Sequence, residues 1–266
     1  MTIEHDLQLF AQAEIDLALV GELKSGKEAT VSLVRRGDDL LALKHYRPMR
    51  GRHYANTAKY REGRFMKARD ARAFVKRSAW GRQVAQGSWI AAEYQMLRRL
   101  SKHTGRVPKP VAQAGTSILM EFIGDAPGSD CPGPRLIDVE PNATQTKHIH
   151  AVTMQAIIMM MRLNIVHGDL SPYNLLIRTE AGKGSNPEAV RLEPYVIDFP
   201  QAVDPRSNGA ARELLEHDIT EVTSYCRKFN QDVSDHQLAE RLWKAFEEGM
   251  LQPPTDETPS EQQGPV

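Results

Sequence analysis

The segment Ile165 to Ile177, IVHGDLSPYNLLI, constrains this chain more than any other. Asp169 follows His167 by two residues and precedes Asn174 by five. Gly168 and Pro172 make an irregular loop of it, and the apolar run Leu175–Ile177 reads as a short strand behind that loop. The run Tyr195-Val196-Ile197 reads as another strand, which delivers a second acid, Asp198, twenty-nine residues after Asp169. A fold that serves this pattern must bring one rigid loop and one strand end to the same cleft.

An isolated Asp after a strand is an ordinary turn former. The chemistry lies in the combination. Phosphoryl transfer needs a carboxylate to orient the attacking group and oxygen ligands for a divalent cation, at fixed separation. Asp169, Asn174 and Asp198 are those residue types. Upstream, LALKHY places Lys44 on an alternating strand pattern, and WIAAEYQMLRRL (89–100) is a helix pattern. Ile90, Tyr94, Leu97 and Leu100 share one face of that helix, and Glu93 lies beside it. A Lys on a third strand, held by a helix Glu, is the arrangement that reaches α- and β-phosphates. Gly21–Glu28, GELKSGKE, nearly matches G-x-x-x-x-G-K-[ST], but Glu28 occupies the hydroxyl position. The run Thr30–Val34 that follows is β-patterned, whereas a P-loop opens into a helix. The P-loop NTPase reading is therefore rejected, and a Gly turn between strands is left to cover phosphates.

Around these motifs the pattern predicts a helix over 3–13, then strands over Ile15–Leu23, Thr30–Val34 and Leu40–Tyr46. Two more strands follow at 111–114 and 117–122, with a Pro/Gly loop after them. A long helix covers 143–163, a Gly/Asn/Pro turn 182–187, and further helices 208–228 and 235–250. The expected division is an N-terminal helix (1–14), a β-rich lobe (15–122) with an insert (47–82), a helical lobe (123–251) and a polar, disordered tail (252–266). This is an α+β, two-lobed architecture, and a cleft between such lobes is a natural nucleotide site.

The net charge is zero, yet residues 1–110 hold 22 Lys/Arg against 11 Asp/Glu, and the rest of the chain reverses the balance. The excess is densest in 47–82, with 12 basic residues against Glu62 and Asp70. Tyr54, Tyr60, Phe65, Phe74 and Trp80 interleave with them, as in base-stacking surfaces. The insert is thus either a solvated loop or a surface for RNA or a ribosomal partner. Two cysteines exclude a disulfide scaffold and offer no zinc spacing. The N-terminus carries acids where a signal peptide needs bases. The longest apolar stretch, Ala156–Met161, is far short of a membrane span. A soluble, cytoplasmic protein without membrane contact is expected.

Together the motifs resemble the RIO family of atypical serine/threonine protein kinases. The phosphate loop stands as Ser25-Gly26-Lys27-Glu28-Ala29, the Lys strand as LALKHYR, and the helix start as Trp89 followed by Glu93. The hinge strand is ILMEFIG, the loops are HGDLSPYN and IDFPQAV, and the C-terminal helix is LLEHDITEVTSY. Gly168 replaces the Arg of the protein-kinase H-R-D motif, which implies no switch through a phosphorylated activation loop. The resemblance implies a two-lobed kinase-like fold, and an enzyme that passes the γ-phosphate of ATP to a protein hydroxyl or to water. ATP and Mg²⁺ are its cofactors, with Mn²⁺ an alternative metal. It makes Asp169 the catalytic base, Asn174 and Asp198 metal ligands, and Lys44 the phosphate contact paired with Glu93. Ser25 and Lys27 would contact phosphates within the loop Ser25–Ala29, which includes Gly26 and Glu28. Met120 would border adenine, Glu121 and Ile123 would give hinge contacts, and Val31, Ala42 and Ile197 would sandwich the base. In this family Asp198 can also act as phosphate acceptor. Two alternatives remain, an aminoglycoside/choline-type small-molecule kinase and an ATP-gated RNA- or ribosome-binding assembly factor.

Overall fold

The computed structural model describes residues 2–47, 79–181 and 190–254, excepting the side chains of 79–86. The basic insert falls almost wholly outside these residues. So do Tyr54, Tyr60, Phe65, Phe74, the side chain of Trp80, the turn 182–187 and the tail beyond 254.

Helix α1 (Ile3–Gln12) is capped by Thr2, whose side chain accepts from the His5 amide. Strands β1 (Ala18–Ser25), β2 (Ala29–Arg36) and β3 (Asp39–Tyr46) form an antiparallel meander. Helix α2 (Ala79–His103) follows, then β4 (Pro110–Ala114) and β5 (Ser117–Glu121). The five strands form one sheet in the order β1-β2-β3-β5-β4. Helix α3 (Ala143–Arg162) begins in a capping box between Asn142 and Gln145. The hairpin β6 (Leu175–Ala181) and β7 (Val190–Val196) and helices α4 (Ala211–Arg227) and α5 (Leu238–Glu247) complete the second, helical part. The result is the expected α+β kinase-like fold, a β-sheet lobe and a helical lobe.

Strand alternation gives the sheet two different faces. Val34, Leu41, Leu43 and Leu119 pack against Phe10 of α1 on the outer face. Ala42, Tyr46, Ile118 and Met120 join the main core with Trp89, Ile90 and Leu97 of α2 on the inner face. The outer docking is also polar. Asp6, fully buried, accepts from the Thr116 amide (3.1 Å), Thr116 Oγ1 (2.9 Å) and Ser117 Oγ (2.7 Å), and lies 2.9 Å from His45 Nδ1. Gly115 admits this contact: its φ is +53°, and a Cβ there would stand 2.1 Å from Asp6 Oδ1.

Three elements extend four or more residues past their sequence-predicted bounds. Helix α2 starts ten residues before Trp89, inside the expected insert, because the apolar stripe begins only where the helix meets the sheet. Strand β6 runs to Ala181 and β7 starts at Val190. The outer half of this hairpin alternates charged residues with few apolar ones, and Pro194 reads as a breaker, although it pairs with Ile177 within the ladder. Ile197 stands just beyond β7.

Candidate active site

Lys44 sits near the end of β3, on its inner face. Its ammonium lies 3.0 Å from Glu93 Oε1 on α2 and 2.7 Å from Asp198 Oδ1. Burial works against the Lys44 charge, but Asp198 and Glu93 outweigh it and hold the ammonium protonated. Glu93 is 3% exposed, and its second oxygen accepts a hydrogen bond from Tyr46 Oη. Tyr46 stacks edge-on against Trp89 at 4.9 Å and lies beside the Lys44 ammonium. Burial, and after it the Glu93 charge, push the phenol well above its ordinary range, so Tyr46 remains a donor.

The loop after α3 is held from behind. Asp218 on α4 is 1% exposed and accepts the Gly168 and Leu170 amides, each at 2.8 Å. Gly168 has φ +79°, and a Cβ there would meet the Gln201 carbonyl at 2.8 Å. On this backbone the Arg of H-R-D would not fit at position 168. His167 lies 3.1 Å from the Ile197 carbonyl through Nε2 and stacks on Phe199 at 4.8 Å. Burial pulls its pKa down to about 4, so the ring is neutral at pH 7. Val166 and Val203 exchange backbone hydrogen bonds at 3.0 and 2.9 Å, fastening this loop to the segment after Asp198.

Asp169 is exposed to the cleft, and the Asn174 amide nitrogen contacts its carbonyl (2.7 Å) and Oδ2 (3.3 Å). Burial raises the Asp169 carboxyl, and the nearby Asp198 charge raises it further. Asp198 holds a left-handed backbone, φ +69°, rare for a non-glycine and frequent at functional sites. Its side chain is 43% exposed, and Lys44 above all holds its carboxyl below the usual range. The structure thus gathers Lys44, Glu93, Asp169, Asn174 and Asp198 at one cleft. Besides the Lys44 pairing, Asp198, Asp169 and the Asn174 amide oxygen offer hard oxygen donors. This donor set fits Mg²⁺.

The remaining expected residues divide. Ala42 and Met120 are buried on the inner face and pair with each other across β3 and β5. Val31 pairs with Lys44 and packs against the main core. Ile197 is partly buried, with its amide on the Asn174 carbonyl (3.0 Å). At the hinge, Glu121 ends β5, and the Ile123 carbonyl accepts from Gly133 (2.9 Å). In the phosphate loop the Gly26 amide donates to Ala29 (2.9 Å), the Glu28 carbonyl accepts from Arg47 (2.9 Å), and Lys27 is exposed. The Ser25 hydroxyl is taken by the Arg47 guanidinium at 2.6 Å. Ser25 pairs with Thr30, and Thr30 with His45, which meets Asp6 on the outer face. The Ser25 side chain therefore faces away from the cleft.

Sequence reasoning gives no role to Asp218, Tyr46 or Arg178. Arg178 on β6 contacts Glu121 Oε1 (3.2 Å), the Phe122 carbonyl (3.3 Å) and Tyr195 Oη (3.1 Å), and stacks over the Tyr195 ring. Asp218 had a signal: it occupies the buried stripe of α4 with Leu214, Leu215, Ile219 and Val222.

A Lys–Glu pair, a loop Asp with its Asn, and a second Asp after a hairpin, set between a five-stranded sheet and a helical lobe, define a protein-kinase-like enzyme. Comparison with known proteins narrows the class. A family model described as the RIO domain matches residues 34–239. The RIO-type serine/threonine-protein kinase Rio1 of Haloferax volcanii is 30% identical over 236 residues, which cover 88% of this chain and 71% of that protein. The protein of the same description from Thermoplasma acidophilum is 30% identical over 156 residues, 59% of this chain and 73% of that one. Among solved structures, the Rio2 kinase of Chaetomium thermophilum in its ADP/Mg²⁺-phosphoaspartate complex superposes with a TM-score of 0.67 at 21% identity, covering 93% of this chain and 67% of that one. The chain belongs to the RIO family, as an enzyme of the RIO-type serine/threonine-kinase class. Among its described residues no helix is long and apolar enough to cross a membrane.

Proposed function

We propose that the chain binds ATP with Mg²⁺ in this cleft and transfers the γ-phosphoryl group to a serine or threonine hydroxyl of a protein, or to water. The observation that carries this reading is the Lys44 ammonium bridging Glu93 and Asp198, beside the Asp169–Asn174 loop. Lys44 contacts the α/β-phosphates while Glu93 keeps it in place. Asp169 orients the attacking oxygen and takes its proton, which a carboxyl of raised proton affinity does better than an ordinary one. Asp198 and the Asn174 amide oxygen hold the metal, which when bound neutralises charge on the transferring phosphoryl group. Ala42, Val31 and Met120 form the apolar walls for adenine, and Glu121 and Ile123 supply hinge contacts. From the phosphate loop, Gly26, Lys27 and Glu28 act through the turn, and Ser25 through its backbone.

A second outcome is supported by the relative whose complex holds a phosphoaspartate with ADP and Mg²⁺. Here an Asp198 oxygen attacks the γ-phosphorus, the bond to ADP breaks, and an aspartyl-phosphate forms. Attack of water on that phosphorus regenerates the carboxylate and releases inorganic phosphate.

Incubation with γ-labelled ATP, Mg²⁺ and a generic protein acceptor tests both. Label on acceptor hydroxyls marks the kinase route. Hydroxylamine-sensitive label on the chain, with phosphate release, marks the aspartyl route. Asp169→Asn and Asp198→Asn are each expected to lower turnover by at least about a hundredfold. Unchanged turnover in both would reject the site.

A further inference from the structure

The phosphate loop is expected to meet the nucleotide through Ser25 and Lys27, but the register of the sheet redistributes its side chains. Directly paired residues of an antiparallel ladder project from the same face. Ser25, Thr30 and His45 form one such row, and His45 contacts Asp6 of α1. Ser25 is thereby turned outward, and its hydroxyl is occupied by Arg47. The next row is Lys24, Val31, Lys44 and Ile118. Val31 and Ile118 belong to the inner face, and Lys44 reaches Asp198 from it. Lys24 therefore stands on the cleft side, two strands from Lys44, beside the turn closed by Gly26. It is exposed, on the same face of the sheet as the ammonium that reaches Asp198.

The site's charge balance gives that position a use. Lys44 is one cation shared between Glu93 and Asp198, with Asp169 a third carboxylate nearby. A polyphosphate entering this cleft adds more negative charge than Lys44 and one divalent cation offset. A flexible ammonium on the sheet side of the opening suits a mobile phosphate tail, since Lys acts as a point charge that needs no fixed fork geometry.

We propose that Lys24 is a phosphate-binding residue of the nucleotide site, its ammonium reaching the terminal phosphates of ATP from the cleft face of β1. The assignment rests on the nucleotide reading above and deepens it. It adds to the loop a cation on the cleft face, at the residue before Ser25.

Calorimetric titration of the full chain with Mg²⁺-ATP and, separately, with adenosine tests it. Lys24→Gln removes the charge at an exposed position and leaves the fold intact. A charge-assisted contact of ordinary strength predicts about tenfold weaker ATP binding in Lys24→Gln, with adenosine binding unchanged. Lys24→Arg restores ATP affinity, and the wild-type advantage shrinks as salt is raised. ATP affinity in Lys24→Gln equal to wild type, or equal losses for ATP and adenosine, overturns the assignment while the site stands. Wild-type protein that binds neither ligand overturns the nucleotide reading itself, and the Lys24 assignment with it.

Discussion

The Gly168 amide donates to the buried Asp218 carboxylate at 2.8 Å, and this bond holds the catalytic loop in a backbone shape that only glycine takes readily. With φ at +79° and the Gln201 carbonyl 2.8 Å from any added Cβ, position 168 has no room for the Arg seen in H-R-D loops. Gly168→Ala is expected to cost about 1–3 kcal/mol from the left-handed backbone alone, and more from the clash. Denaturant midpoints measure this. Because Asp169 is the next residue, ATP turnover in Gly168→Ala should fall even at temperatures where the protein remains folded. A variant as stable and active as wild type would show that the loop tolerates a side chain.

His167 and Asp218 brace the same loop with opposite pH signatures. Burial lowers the His167 pKa to about 4. Its stability contribution is present above the unfolded value of about 6.5 and is lost as pH falls toward 4. Burial raises Asp218 to about 7, against the two amides it accepts. Its contribution is present below the unfolded value of about 3.9 and is lost as pH rises through 7. The two slopes oppose each other between about pH 4 and 6.5. His167→Gln, which keeps a donor for the Ile197 carbonyl, should show stability falling with pH across that window. Asp218→Asn should show it rising. Chemical denaturation at half-unit pH steps checks both signs, and matching slopes in the two variants would contradict the assignment.

Much of the site was legible because its parts lie close in sequence. His167, Asp169 and Asn174 share one loop, and Asp198 follows a strand whose apolar run announces it. Lys44 was legible through strand alternation, and Glu93 through helix periodicity. Facing and register were not. That Ser25 looks outward and Lys24 inward follows from a bulge between Glu22 and Lys24, a backbone irregularity with no composition signal. Tyr46 was within reach, two residues from Lys44 and so on the same face. Arg178 was not, because its partners Glu121 and Phe122 are more than fifty residues away and only the fold joins them. The early start of α2 was hidden by Gly81 and Gly87, which weaken a helix pattern without ending it.

Tyr46 gives Glu93 a second anchor besides Lys44. Tyr46→Phe leaves Glu93 Oε2 buried without this donor, which costs about 1–3 kcal/mol of stability. The kinetic effect should fall mainly on kcat, lowered about three- to tenfold, because the Lys44–Glu93 geometry matters most as charge develops on the phosphates. Lys44→Met with Tyr46→Phe should be far less harmful than the product of the two singles, since Tyr46 acts on the phosphates only through Glu93 and Lys44. Strict multiplicativity in ATP turnover would separate Tyr46 from the pair.

Arg178 fastens the hinge from behind by holding both the Glu121 side chain and the Phe122 carbonyl. Its planar group also lies over Tyr195 at 4.8 Å, which ties the β6–β7 hairpin to the hinge. Arg178→Ala frees the hinge strand without touching Lys44, Asp169 or Asp198. The loss should therefore appear in binding, with the KM for ATP raised about three- to thirtyfold and kcat nearly unchanged, the pattern of an interaction equally strong in ground and transition states. Arg178→Lys keeps the charge but cannot span Glu121, Phe122 and Tyr195 together, so it should recover only part of the affinity. Steady-state kinetics over an ATP series decides it. A drop in kcat with KM unchanged would place Arg178 with the catalytic loop rather than with the hinge.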